Sequence, residues 1–452
     1  MSWFRTRMAN RQSLTARSVE SLAWSVGSRS GMIVLKLGAN LITTSVLLPE
    51  AFGLIATVFL IHGILQMLSD MGIGGAVIRS QHGDQEAYLQ TAWTVHLIRH
   101  CVLAVLVLAA GGGLWWLQGQ TDLGELTWGH PDMPGMIAFS AFLLLVMGCY
   151  SANEFLAHRR VQIYMVDRNM LISQVVGSTA MVILVLSKPT PWSLLIGSSF
   201  APITQMMLSH RLPGPRMRLR LVPEYRQEIW DFGKWLIVSS SFGLISNHGD
   251  RLILSVLVDA RTIGIYAIAR LWYEGFDRLF AITSYLVNSV ISETKRLRPE
   301  RLQSLIDRLM LLVLCVAGMA TAGLWLFAEV LIETIYEPVY HSAGPMLALF
   351  SMVFLSRRIF VLNGVLKTFG DTRSIAVPAM TSSLILVTVS LSLYPLIGLK
   401  GIIAGVVFAN VLPMWLMLWA TGRHVHVDWR REAAIEGTIL AIAVAAIVMS
   451  PL

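Results

Sequence analysis

The sequence predicts an all-α polytopic membrane protein, with about 12 to 13 transmembrane helices in two pseudo-symmetric six-helix lobes. Its 452 residues are 55% hydrophobic, and the mean hydropathy is +0.64. Only 14% of the residues are charged, whereas a water-soluble chain carries roughly 25%. Long apolar stretches recur along the whole chain, and a short motif near residue 50 is partly repeated near residue 260.

The transmembrane spans are predicted by length, because a spanning helix needs about 20 mainly apolar residues. On that criterion twelve spans lie near 22–47, 54–78, 91–117, 135–157, 171–187, 192–209, 233–258, 265–291, 308–332, 343–366, 374–395 and 400–421. A thirteenth stretch, at about 433–450, is shorter.

Basic residues orient the spans, because the cytoplasmic loops of membrane proteins collect Lys and Arg. With the N-terminus inside, only Lys188, Arg261 and Lys400 of the 35 Lys and Arg residues fall in outer loops. The sequence therefore predicts a cytoplasmic N-terminus. The net charge of +8 is explained by this topology, and no nucleic-acid partner is expected.

Charge and proline content divide the chain into five segments. Residues 210–232 form the most polar connection. Their prolines stop helices, and their arginines favour the anionic inner leaflet. We interpret this segment as a basic cytoplasmic loop between an N-lobe at 22–209 and a C-lobe at 233–421. Residues 1–21 are predicted to be a basic cytoplasmic N-terminus without a cleaved signal peptide, and 422–452 a cytoplasmic loop with a candidate extra transmembrane helix.

An internal repeat relates the two predicted lobes. The hinge Leu48–Leu54 separates the first two spans, and Val258–Ile265 partly copies it; a shift of 211 residues places Gly53 on Gly264. Because six spans separate the copies, both have the same orientation in the membrane. The pattern is typical of a parallel repeat with its axis along the membrane normal.

Ionisable residues inside the predicted spans are the main functional candidates, because a charge near mid-bilayer costs on the order of 3 kcal/mol. The spans contain nine cations, namely Arg29, Lys36, Arg99, Lys234, Arg251, Arg270, Arg278, Arg357 and Arg358. Their acids are chiefly Asp70, Glu154, Asp250, Glu274 and Asp277.

Two interpretations of these charges stay open. In the first they are structural ion pairs; Glu274 can reach Arg270 or Arg278, each one helical turn away. In the second the surplus cations line a water-filled cavity for an anionic cargo, and the acids bind a coupling ion or form ion pairs. Lys234 and Arg29 lie near span ends, where they can snorkel. The substrate-binding candidates are Arg29, Lys36, Arg99, Arg251, Arg270, Arg278, Arg357 and Arg358.

Motifs for enzymatic chemistry are lacking in the sequence. His96 and His100 are four residues apart on one helix face, but no third ligand accompanies them, so a metal site is not predicted. The chain has no Walker sequence, which argues against ATP hydrolysis. We expect no cofactor and no enzymatic activity.

The stretches Leu48–Leu54 (LPEAFGL) and Leu68–Ile78 (LSDMGIGGAVI) carry a family resemblance. They resemble the N-terminal signature of bacterial polysaccharide or oligosaccharide flippases of the multidrug/oligosaccharidyl-lipid/polysaccharide (MOP) exporter superfamily. The resemblance implies two six-helix lobes that form a V-shaped central cavity with alternating access. It also implies that an undecaprenyl-diphosphate-linked oligosaccharide moves from the cytoplasmic to the periplasmic leaflet of the bacterial inner membrane, for O-antigen or exopolysaccharide assembly.

The physical properties of such a cargo agree with the charge pattern. Arginine offers a planar fork of donors suited to phosphate oxygens. Moving two negative charges outward across an inside-negative membrane is favourable by roughly 4 to 5 kcal/mol per 100 mV. The step could therefore be driven by the membrane potential, or by protons or sodium ions. Membrane lipids, a polysaccharide polymerase and glycosyltransferases of the same pathway are the expected partners.

Three alternative functions stay open at this point. The same superfamily includes multidrug or cation antiporters, although a cationic excess argues against cationic cargo. A flippase for the peptidoglycan lipid precursor would use the same chemistry with a different sugar. A membrane glycosyltransferase or polymerase that uses polyprenyl-linked sugars would need a sizeable outer loop with catalytic carboxylates, and the longest outer loop, at 118–133, has no paired-acid motif.

Overall fold

The fold is entirely helical in the part of the chain that the computed structural model describes, residues 14–124, 126–160, 162–371 and 373–450. Most of the predicted basic N-terminus, residues 1–13, lies outside this range. The helices are α1 (Leu14–Thr44), α2 (Pro49–Leu68), α3 (Ile73–Arg79), α4 (Glu86–Gln118), α5 (Met133–Gly148), α6 (Asn153–Arg159), α7 (Ile163–Ser187), α8 (Pro191–Ser209), α9 (Pro223–Leu257), α10 (Ala260–Leu297), α11 (Leu302–Ile335), α12 (Ala343–Ser351), α13 (Ile359–Phe369), α14 (Arg373–Ile397), α15 (Leu399–Val411), α16 (Met414–Thr421) and α17 (Trp429–Met449).

Fewer helices pass a test for membrane spans than the 12 to 13 predicted. Within the described residues, eight are long and apolar enough to cross a membrane, or nine if the bent pair α5 and α6 is one span. Helices α9 and α10 have 35 and 38 residues, but each carries charges in its middle, so apolar composition alone does not identify them. The candidate extra helix is present as α17, which passes the test.

One span is broken, and another contains a 3₁₀ turn. Helices α5 and α6 meet at an angle of 54°, within the span predicted at 135–157. Helices α12 and α13 are separated by the 3₁₀ turn Met352–Ser356. Broken helices are tolerated at membrane depth where protein or water satisfies the freed backbone groups. At the first break, the amide of Ser151 donates to the Ser209 hydroxyl at 2.9 Å.

The chain forms two compact units. Among the described residues, unit 1 comprises 14–47, Ile61–Leu123 and Gly129–Ser239, and unit 2 comprises Leu48–Leu60, 124–128 and 240–450. The division falls inside α9, whereas the sequence placed the boundary in the loop at 210–232.

The basic segment before α9 belongs to unit 1 and packs on helix α4. The amides of Arg220 and Val222 donate to the hydroxyls of Thr94 and Thr91 on α4, at 3.0 and 3.2 Å. Gln90, on the same helix, donates to the Arg216 carbonyl at 3.1 Å. These side chains satisfy backbone groups that a solvated linker would leave to water, so this part of the segment packs as a component of unit 1.

The hinge and its copy pack against each other within unit 2. Helix α2 begins with Pro49 at its first position, where a missing N–H costs nothing. A Cβ added to Gly53 would lie 1.8 Å from the Ala260 carbonyl oxygen, and one added to Gly264 would lie 1.8 Å from the Pro49 carbonyl oxygen. The repeat shift of 211 residues converts one contact into the other. Reciprocal contacts of this kind are the mark of two-fold symmetry, and small residues allow the backbones to approach.

Candidate functional site

Unit 2 contains the densest group of charges that the structure places within predicted spans. Asp250 and Arg251 lie on α9, and Arg270 and Glu274 lie one turn apart on α10. Helical spacing puts the α10 pair on one face. The short turn at Asp259, between α9 and α10, brings that face to α9. The structure therefore joins these four sequence candidates into one network.

Arg270 is the centre of this network. Its Nη1 lies 3.3 Å from Asp250 Oδ2, and its Nε lies 3.3 Å from Glu274 Oε1. Arg251 also forms an ion pair with Glu274 through the same Oε1 atom. Two guanidinium groups thus converge on one carboxylate oxygen.

The two acids of the network differ in exposure. The Asp250 side chain is 3% exposed and accepts a hydrogen bond from the Tyr266 hydroxyl. The Glu274 side chain is 34% exposed. A buried carboxylate with two such partners is fixed in place, whereas one that is a third exposed is accessible to a ligand.

A second ion pair lies one turn further along α10. Arg357, between α12 and α13, has its Nε 2.6 Å from Asp277 Oδ1, and its Nη2 donates to the Tyr273 hydroxyl at 2.6 Å. The Arg270 guanidinium lies over the Tyr273 ring, 5.1 Å from the centroid, an arrangement that favours the cation. Tyr273 therefore contacts both arginines.

Taken together, the group is less cationic than the sequence indicates. Its four arginines, Arg251, Arg270, Arg278 and Arg357, face the three carboxylates Asp250, Glu274 and Asp277. One positive charge remains, and Arg278 is the exposed member. Within the described residues, no carboxylate oxygen lies within 4.0 Å of Arg278.

The sequence did not single out Tyr266 and Tyr273. Their spacing could have indicated them, because Tyr266 precedes Arg270 by one turn and Tyr273 precedes Asp277 by one turn. Polar aromatic residues beside intramembrane charges supply the hydrogen bonds that lipid cannot.

Arg358 has a different environment from its neighbour Arg357. Its side chain is 1% exposed; Nη1 lies 2.7 Å from Glu432 Oε2, and Nη2 pairs with Glu436. Both acids belong to α17, so this arginine connects the last helix to the rest of unit 2. The geometry corresponds to the ion-pair interpretation of the sequence. Glu432 and Glu436 were missed because only tertiary contact brings them to Arg358.

The candidates in unit 1 each have partners of their own. Arg99 donates to Ser69 Oγ at 2.9 Å and to the Gln66 carbonyl at 2.8 Å. Asp70 accepts from the Gly72 amide at 2.9 Å, which stabilises the turn before α3. Both sets of contacts lie at the end of α2 that leads into α3.

The remaining unit 1 candidates are spread over several helices. Arg29 lies 3.8 Å from the buried Asp167 on α7. Glu154, on α6, accepts a hydrogen bond from Gln205 Nε2 at 2.5 Å. Lys36 is exposed on α1. No group of three His, Cys, Asp or Glu residues in the described part of the chain is arranged to hold a metal ion.

A charged cluster outside the spans joins the loop after α3 to the end of α6. Arg159 and Arg160 pair with the two oxygens of Asp84 at 2.7 and 3.0 Å. Arg159 also donates to the carbonyl oxygens of Val77 and Ser80, which caps the end of α3. The hydrogen bond from Arg159 is the main cause that lowers the pKa of the Asp84 carboxyl below its usual value.

Comparisons with known proteins agree with the helical architecture. A family model described as "polysaccharide biosynthesis protein" matches residues 44–345. The succinoglycan biosynthesis transport protein ExoT of Rhizobium meliloti (strain 1021) is 24% identical over 347 residues, which cover 74% of this chain and 65% of that protein. The chain therefore spans less than two thirds of the length of that relative.

Two solved structures share the fold. The lipid II flippase MurJ, in an inward closed conformation, has a TM-score of 0.69 at 11% identity, covering 93% of this chain and 91% of its own. An inward-facing multidrug resistance MATE family transporter of the MOP superfamily has a TM-score of 0.66 at 16% identity, covering 90% and 96%. At these identities the likeness shows the fold. Its fold is that of the MurJ and MATE transporter structures, and from the match over residues 44–345 the chain belongs to the polysaccharide biosynthesis protein family.

Proposed function

We propose that the protein is a flippase that carries an undecaprenyl-diphosphate-linked oligosaccharide from the cytoplasmic to the periplasmic leaflet of the bacterial inner membrane, with its N-terminus in the cytoplasm. We assign it transport rather than enzymatic chemistry. The family match and the similarity to ExoT, a succinoglycan biosynthesis transport protein, support a saccharide cargo. A polysaccharide polymerase and glycosyltransferases are the partners that such a cargo requires.

One observation carries the choice of an anionic headgroup. Arg251 and Arg270 converge on one carboxylate oxygen of the partly exposed Glu274, and the exposed Arg278 lies one turn beyond Glu274 on the same helix. Two guanidinium groups that reach the same oxygen atom can both form charge-assisted hydrogen bonds with a phosphate. A diphosphate offers several oxygens where Glu274 offers two.

The remaining sequence candidates have different roles in this proposal. Arg357 is a secondary contact because Asp277 and Tyr273 already occupy it. In this proposal Arg358 has a structural role, because Glu432 and Glu436 pair with it in the interior. Lys36, Arg99 and Arg29, in unit 1, are kept as candidates for guiding the headgroup.

Substitution of Arg270 by Ala tests the proposal. Removing one partner from a buried charge pair costs at least about 2 kcal/mol, or about 30-fold in affinity. We expect Arg270→Ala to lose transport by about that factor or more in vesicles loaded with polyprenyl-diphosphate oligosaccharide, measured by exposure of the headgroup to an external glycosidase. Arg261→Ala is the control, because Arg261 is exposed at the start of the same helix. Equal transport by both variants would contradict the assignment.

We propose that the membrane potential drives the step, since outward movement of two negative charges gains roughly 4 to 5 kcal/mol per 100 mV. Asp70 and Glu154 are the alternatives for binding a coupling proton or sodium ion. A potassium diffusion potential imposed with valinomycin, in the absence of proton and sodium gradients, should suffice to drive transport. Transport that responds to a proton or sodium gradient and ignores the potential would refute this scheme.

A further inference from the structure

Glu274 and Asp250 contact the same arginine but are held in different ways. Asp250 is 3% exposed and has Arg270 and Tyr266 as partners. Glu274 is 34% exposed and pairs with Arg251 and Arg270. Asp250 therefore fixes the position of Arg270, whereas Glu274 lies on the accessible side of both guanidinium groups.

The accessible side of two converging arginines is the place where an anion binds. Glu274 Oε1 lies 3.3 Å from Arg270 Nε and also accepts from Arg251. A phosphate oxygen in contact with both arginines would need the same position. The carboxylate and an anionic cargo therefore compete for one place.

An empty site with uncompensated cations is costly inside a membrane. Removing the counterion of a buried pair leaves a charge without a partner, a change that costs several kcal/mol in other proteins. A transporter passes through an empty state in each cycle, so its cationic site needs an anion when no cargo is bound. Glu274 supplies that anion in this structure.

We propose that Glu274 is a built-in counterion that occupies the headgroup site in the cargo-free state and is displaced when the anionic headgroup binds. This inference rests on the proposed function. Arg278 lies one turn further on α10, has no carboxylate within 4.0 Å among the described residues, and can receive the displaced carboxylate. After the exchange, Arg251 and Arg270 pair with the cargo and Glu274 pairs with Arg278.

The exchange has a consequence for both affinity and release. Because cargo must displace Glu274, the carboxylate lowers affinity for the headgroup. Its return to Arg251 and Arg270 also helps to expel the headgroup on the other side. Removing the charge of Glu274 should therefore strengthen binding and slow turnover, a combination that loss of an ordinary structural contact does not produce.

The test uses the full-length protein in nanodiscs with inorganic pyrophosphate as the probe. We expect Glu274→Gln to bind pyrophosphate about tenfold more tightly than the wild type in calorimetric titrations. Asp250→Asn is the matched control, since it removes an equal charge from the same arginine but disturbs the fixed side of the site. It should bind pyrophosphate more weakly than the wild type.

Thermal unfolding gives a second readout that does not depend on titration. Without an added anion, Glu274→Gln should melt at a lower temperature than the wild type because its arginines lack a counterion. Pyrophosphate should restore the melting temperature of Glu274→Gln and raise that of the wild type much less. Transport by this variant should be slower despite the tighter binding.

The outcomes separate this inference from the proposed function. If the wild type binds pyrophosphate and Glu274→Gln binds it no more tightly, the counterion role is wrong and the anion site stands. If neither protein binds pyrophosphate, the anion site itself is wrong and both proposals fall. Binding by Glu274→Gln alone supports both.

Discussion

Replacement of Gly53 by Ala tests the contact between the hinge and its copy. The added Cβ would lie 1.8 Å from the Ala260 carbonyl oxygen and 2.6 Å from its carbonyl carbon. Ordinary van der Waals contact begins near 3.4 Å, so the two backbones must separate by about 1.6 Å at this point. Both partners are main-chain atoms, and no side chain can rotate to relieve the overlap.

The expected magnitude follows from two opposing terms. Alanine is favoured over glycine in a helix by about 1 kcal/mol. Overpacking costs about 1 to 3 kcal/mol, and more where the backbone has to move. Because the overlap at Gly53 involves the backbone, we expect the upper part of that range and a net destabilisation of about 1 to 2 kcal/mol.

The measurement is thermal unfolding of the purified protein in detergent, followed by intrinsic fluorescence. Gly112→Ala is the matched control, because Gly112 lies within α4 and a Cβ there meets nothing within 4 Å. The control should melt at the same temperature as the wild type or higher, while Gly53→Ala should melt several degrees lower. The double variant Gly53→Ala/Gly264→Ala should lose less stability than the two single variants together, since the first substitution already separates the helices. A Gly53→Ala protein as stable as the Gly112→Ala protein would refute the close approach.

Two further predictions concern ion pairs away from the headgroup site. Arg358→Ala should destabilise the protein by about 3 to 5 kcal/mol, because it leaves the buried Glu436 and the partly buried Glu432 without their cation. The triple variant Arg358→Met/Glu432→Gln/Glu436→Gln should recover most of the melting temperature, and a similar loss in that variant would contradict the ion-pair role. The lowered pKa of Asp84 means that its contribution to stability is complete above its usual pKa, near 4, and is lost as the pH falls through the lowered value. After correction for the intrinsic exchange rate, hydrogen exchange in the loop after α3 should therefore rise as the pH is lowered in that range. Asp84→Asn should lose this dependence, and an unchanged pH response in the variant would assign the effect to another group.

The sequence alone determined the features that depend on local composition and spacing. Apolar stretches identify a membrane protein because lipid excludes unpaired polar backbone. The hinge at Leu48–Leu54 and its shifted copy indicated a repeat, and the structure places Gly53 and Gly264 in reciprocal contact. The i, i+4 spacing also predicted that Glu274 could reach Arg270 or Arg278, and the structure pairs it with Arg270.

Tertiary structure decided which charges are neutralised and which stay accessible. Arg357 and Arg358 are adjacent in sequence, yet one pairs with Asp277 on α10 and the other with Glu432 and Glu436 on α17. These three carboxylates lie 74 to 80 residues away from their arginines along the chain. Helical periodicity fixes neighbours within a turn or two, but pairing over such separations depends on how helices pack. For the same reason, the sequence showed a surplus of cations, and only the fold showed that Arg251 and Arg270 both pair with one carboxylate, Glu274.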